Sequence, residues 1–89
     1  MVRTDDIIDI INSKFGWAIA EQARDLLEHD TSFFVKNEDK QLNLNAVFYI
    51  LAFAERRGFK RLAGKARRYL KEVEGMSEED IKREARRYR

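Results

Sequence analysis

Between Arg56 and Lys71 the chain carries eight lysines or arginines and no acid. Read at helical spacing, Arg61, Lys65 and Arg68 form one stripe beside an apolar seam, and Lys60, Arg67 and Lys71 form a second stripe on its other flank. Arg56 and Arg57 stand just before both rows. Cations in rows of this kind can lie along a phosphate backbone or against the carboxylates of an acidic protein, positioning a partner without reading its sequence. The competing reading is a solvated helix face whose long stems cover apolar surface. Lack of interleaved acid favours the binding reading, because a face that serves only solubility mixes both signs. A second cluster, Arg83, Arg86 and Arg87, follows near the C-terminus in a segment that also holds Lys82 and Arg89. Phe59, Tyr69 and Tyr88 are aromatic groups able to stack on bases, but their places on apolar faces suit core packing better.

Charge is divided along the chain. Residues 1–55 hold five basic and ten acidic residues, a balance of −5, whereas residues 56–89 hold thirteen and six, a balance of +7. The net charge of +2 conceals this division. It suits an acidic partner for the C-terminal part, or a homodimer in which the basic half of one copy meets the acidic half of another.

Other chemistry has little support. The single histidine, His29, lies near Asp25, Glu28 and Asp30, and a histidine near a helix end is ordinarily a capping or surface group rather than a metal ligand or base. There is no phosphate-cradling glycine loop, no nucleophile elbow and no Ser or Cys at a recognisable spacing from the histidine. The sequence therefore implies no catalytic residue, no metal and no cofactor. Glu21, Asp25 and Glu28 make an acidic stripe, and Arg24 and Glu28 an i, i+4 pair, both in keeping with a solvated helix face.

The elements that must position the cations are helical. Proline is absent, Gly is sparse, and Ala, Leu, Glu, Lys and Arg dominate, so long helices run uninterrupted. Residues 46–54, AVFYILAFA, are uncharged throughout. A helix apolar on all sides is surrounded by protein. The expected fold is thus an all-α bundle of four to five helices, a single domain over residues 1–89, built around a buried central helix at about 45–57. Asn45 would cap its start, and Arg56-Arg57-Gly58 would suit its end. Before it, Thr4 is expected as the N-cap of a first helix with Ile7, Ile8, Ile11 and Phe15 on one face, interrupted near Asn12, Ser13 and Gly16. A second helix follows from about Trp17, with Ile19, Ala23, Leu26 and Leu27 on its apolar side. Because Phe33 and Phe34 fall seven residues after Leu26 and Leu27, the period carries this helix on to about Lys36. Residues 37–41 are a polar connection, and Leu42 and Leu44 should close over the bundle end.

After Gly58, Phe59, Leu62, Ala66, Tyr69, Leu70 and Val73 share a face. Gly75 ends that helix, and Ser77 with Asp80 starts a last one, with Met76 against Ile81 as a staple. Its three turns are marginal alone, so residues 76–89 are expected to dock loosely.

Charged residues make up 38% of the chain against about 25% in ordinary domains, a bias that also fits thermophile proteins. No cysteine is present, no apolar run approaches the ~18 residues of a membrane span, and the first residues lack a signal-peptide pattern. A soluble, cytoplasmic protein is the expectation.

Residues 18–58 resemble the helical hairpin of small archaeal and bacterial proteins related to the HEPN (higher eukaryotes and prokaryotes nucleotide-binding) group. An Ala- and Leu-rich helix, a short polar connection and an aromatic-rich second helix recur there. Arg24-Asp25-Leu26-Leu27-Glu28-His29 contains Arg-x4-His, similar to the catalytic pair of HEPN ribonucleases. That resemblance implies cleavage of single-stranded RNA through Arg24 and His29, as an alternative to the binding module.

Overall fold

The computed structural model describes residues 3–89, and these form an all-α bundle. Six α-helices run in order: α1 (Thr4–Phe15), α2 (Trp17–Glu28), α3 (Thr31–Lys36), α4 (Leu44–Arg57), α5 (Lys60–Glu72) and α6 (Glu78–Ala85). Two single 3-10 turns, Glu38–Lys40 and Arg86–Tyr88, complete the described chain.

The uncharged run is the core of α4. Ala46, Val47, Phe48, Ile50, Leu51, Ala52, Phe53 and Ala54 are all buried. Tyr49 is the exception, at 41% exposed. Each large apolar side chain buried here contributes roughly 1.5–3 kcal/mol relative to an exposed one. Around α4 pack Ile7, Ile8 and Ile11 of α1, Ala20, Ala23, Leu26 and Leu27 of α2, Leu62, Ala66, Tyr69 and Leu70 of α5, and Ile81 and Ala85 of α6. No charged side chain is buried among the described residues.

Helix ends differ from the sequence expectation at three places. Thr4 is the first helical residue of α1 rather than its cap; Arg3 holds that position and makes no side-chain cap bond. Asn45 lies inside α4, and Asn43 is the cap, its Oδ1 accepting from the Ala46 N–H at 3.0 Å. Asn43 is the better placed because the chain is still extended there, and an extended residue can turn its side chain back on the first free N–H groups. At the start of α6, Ser77 Oγ accepts from the Asp80 N–H at 3.1 Å as expected, while the Asp80 carboxylate turns to Arg83 at 2.7 Å.

The expected long second helix is broken. His29 is extended, and α3 restarts at Thr31. Asp30, Thr31 and Ser32 are poor helix-interior residues that bond locally instead, and Ser32 Oγ donates to Asp30 Oδ1 at 2.7 Å. The break re-aims two rings: Phe34 enters the core edge-on to Tyr69 at 5.2 Å, and Phe33 stacks on His29 at 3.9 Å.

Gly16 alone joins α1 to α2. Its φ of +98° with ψ of 170° is a combination open essentially to glycine. Gly58 closes α4 in the left-handed conformation, φ +75°, and the Phe59 N–H returns to the Ala54 carbonyl at 2.8 Å. Leu42 is buried, whereas Leu44 is exposed and does not cover the bundle end. Leu42 is held by Tyr69, whose hydroxyl accepts from the Leu42 N–H at 2.8 Å and has the Leu42 carbonyl at 3.4 Å and Glu74 Oε2 at 3.2 Å as acceptors for its own proton. Burial pushes the Tyr69 phenol up to about 12; the Leu42 backbone opposes the shift and Glu74 adds to it.

Candidate nucleic-acid interface

The eight cations of residues 56–71 do not form one surface. Arg61 Nη2 donates to the Leu27 carbonyl at 3.2 Å, and Lys65 Nζ donates to the His29 carbonyl at 3.1 Å. Both acceptors belong to the end of α2 and the extended residue after it, where carbonyls lose their helical partners. This stripe thus satisfies the backbone groups that the break exposes. Arg68 completes it by bonding Glu72 at 3.1 Å, and Glu72 also accepts from Thr31 Oγ of α3 at 2.8 Å. These two bonds hold the Glu72 carboxyl below its ordinary range.

The other stripe faces α4 and α6. Arg67 bonds Glu55 of α4, which also accepts from Arg89 at 3.0 Å, and Lys71 bonds Glu78 at 2.8 Å. Burial pushes the Glu55 carboxyl up, but the bonds from Arg67 and Arg89 outweigh it and leave the group below its ordinary range. The resulting stability is present above the ordinary carboxylate range and is lost as pH falls through the lowered value.

Three shallow depressions lie in series along this side. The first, about 600 Å³, is lined by Ala52, Glu55, Arg56 and Arg89. It shares Arg89 with a second of about 420 Å³, lined also by Arg67, Glu78, Glu79 and Lys82. The second shares Glu79 and Lys82 with a third of about 270 Å³ that adds Arg83 and Arg86. Cations from α4, α5 and the C-terminal segment thereby meet on one surface. Among the described residues, Arg56, Lys82 and Arg86 have no hydrogen-bond or ion-pair partner.

The remaining candidates lie apart or are engaged. Arg57 sits over the Phe53 and Phe59 rings at 5.5 and 5.9 Å. Lys60 lines a separate hollow with Ile7, Gly58, Phe59, Arg61 and Leu62. Arg83 pairs with Asp80, and Arg87 with Glu84 at 3.6 Å. Lys82 and Arg89, which the charge runs did not single out, line the connected depressions; their signal is position on α6 and just after the turn that follows it, beside the face that buries Ile81 and Ala85. Tyr69 is core, and Tyr88 stacks on Phe48 with its hydroxyl donating to Asn45 Oδ1 at 2.7 Å.

Arg24 turns towards α1, bonding Asp5 at 3.4 Å and Glu28 at 3.5 Å. The hydrogen bond it donates to Asp5 is the main reason its guanidinium is raised above its ordinary value. His29 is occupied by its stack on Phe33. Among the described residues no helix is long and apolar enough to cross a membrane. Comparison with protein-family models, with curated proteins and with solved structures returns no match.

Proposed function

We propose that this protein is a non-enzymatic binding module that engages the phosphate backbone of a nucleic acid through the surface shared by α4, α5 and the C-terminal segment. One observation carries the reading: Arg56, Lys82 and Arg86, contributed by distant parts of the sequence, border connected depressions and have no partner of their own among the described residues. An unpartnered guanidinium or ammonium keeps its donors for a phosphate. Arg67 and Arg89 add charge beside them while Glu55 holds them in place.

The test is a fluorescence-anisotropy titration of short labelled oligonucleotides repeated over a range of salt. With three phosphates neutralised, affinity should fall about 20- to 40-fold between about 50 and about 200 mM salt, linearly on a double-logarithmic plot. A flat salt response, or no binding at the lowest salt, overturns the reading. Salt-sensitive self-association without oligonucleotide binding would instead support pairing of the acidic half of one copy with the basic half of another.

A further inference from the structure

An aromatic feature, Tyr49, lies on α4 two turns before Arg56, outside the lining of the first depression. Asn45, Tyr49 and Arg56 follow i, i+4 and i+11 and are the exposed members of one stripe of α4, with the buried Ala52 between Tyr49 and Arg56. Ala52 and Arg56 line the depression. Tyr49 stands one turn before Ala52, the only large side chain of the uncharged run left 41% exposed.

Its ring is held rather than loose. Phe15 meets it from α1 at 5.6 Å, and Tyr88 meets it edge-on from the C-terminal segment at 4.8 Å. Tyr88 is fixed in turn by Phe48 and Asn45. Arg56 and Arg89 line the depression further along α4, and the Lys14 ammonium lies 5.8 Å from the ring of Phe15, the residue that meets Tyr49 from α1. Tyr49 and Arg56 are seven residues apart, so they lie about 10 Å from each other along the axis, the reach of one or two nucleotides in an unstacked strand. At about 600 Å³ the depression has the size of a small-ligand site.

We infer that this face of α4 binds single-stranded nucleic acid, with one base stacked on Tyr49 and the adjoining phosphates on Arg56 and Arg89. The inference rests on the phosphate-binding reading and adds strand selectivity to it. A duplex presents its backbone but keeps its bases paired, so it can meet the cations and not the ring. Stacking on an aromatic side chain is tolerant of base identity, because every base has a π-face. This face therefore selects for strandedness and not for sequence.

The experiment compares three labelled probes of equal length: an oligothymidylate, the same strand with abasic sites, and a duplex. The intact strand should bind about tenfold tighter than the abasic one, and also tighter than the duplex. Tyr49→Phe should retain this preference. Tyr49→Ala and Tyr49→Leu should remove it, lowering affinity for the intact strand to that for the abasic strand. The abasic comparison is made on the unaltered protein, so it stands even if a Tyr49 variant folds poorly. Equal binding of intact and abasic strands overturns the stacking inference while leaving phosphate contact in place. Binding of none of the probes overturns both, and equal affinity for polyglutamate overturns the choice of nucleic acid as partner.

Discussion

Tyr69→Ala should destabilise the protein by about 3–5 kcal/mol, the range for removing a large ring from a packed core. The ring is fully buried and meets Phe34 edge-on at 5.2 Å, and its hydroxyl tethers Leu42 at the entry to α4. For a domain of this size such a loss is a large share of the total and moves Tm by more than ten degrees, at about 4–8 °C per kcal/mol. Tyr69→Phe keeps the ring and strands the Leu42 N–H, which should cost about 1–3 kcal/mol. Alkali separates these two contributions. The folded protein keeps the phenolic proton up to about 12, whereas the unfolded chain releases it near 10. The hydroxyl's contribution is therefore complete below pH 10 and is lost as pH rises through 12, by roughly 2–3 kcal/mol. Denaturant unfolding at a series of alkaline pH values should show the gap between the unaltered protein and Tyr69→Phe closing across that window. A constant gap would mean that burial does not hold the phenol neutral.

The second large effect separates the two sets of cations. Reversing Arg56, Lys82 and Arg86 to Glu should weaken oligonucleotide binding by a factor of a hundred or more and lower the salt slope by about 0.7–0.9 for each phosphate contact removed. Tm should change little, since these side chains have no partners among the described residues and exposed substitutions of this kind usually fall within about 0.5 kcal/mol. Reversing Arg61, Lys65 and Arg68 should do the opposite. Arg61 and Lys65 bond the Leu27 and His29 carbonyls, and Arg68 belongs to the Glu72–Thr31 network that ties α5 to α3. A loss of about 0.5–1.5 kcal/mol for each hydrogen-bonded cation is expected, with a much smaller change in affinity. Thermal melts and anisotropy titrations on both triple variants decide the matter. If both weaken binding equally, the interface extends around α5 and the division of roles is wrong.

This division marks the limit of what the sequence made legible. The buried character of α4 could be read directly, because nine consecutive residues without charge leave no polar face to present to water. The all-helical class followed from composition and from Gly58 and Gly75 at helix ends. The break after Glu28 could not be read from periodicity, since Leu26 and Leu27 to Phe33 and Phe34 keep a seven-residue spacing on both sides of it. Asp30, Thr31 and Ser32 carried the only local signal. Whether a lysine serves solvent, a ligand or a backbone carbonyl depends on the neighbouring helix, so Arg61 and Lys65 looked the same as Arg56 along the chain. Tyr49 was hidden for a related reason: nothing within an apolar run distinguishes the one member that α4 turns outward.

The single glycine between α1 and α2 also bears on how the chain reaches this structure. Bringing those two helices together closes almost no loop, so their pairing costs little chain entropy, whereas the Tyr69–Leu42 tie spans 27 residues and must wait for α5 to dock. The hairpin of α1 and α2 should then be assembled before the rate-limiting barrier, with the Tyr69 hydroxyl bond formed after it. In a chevron analysis Tyr69→Phe should leave the folding arm nearly unchanged and speed unfolding; slower folding of that variant would place the tie in the nucleus instead. A contact that forms late in this way governs how long the native state persists more than how fast it is reached.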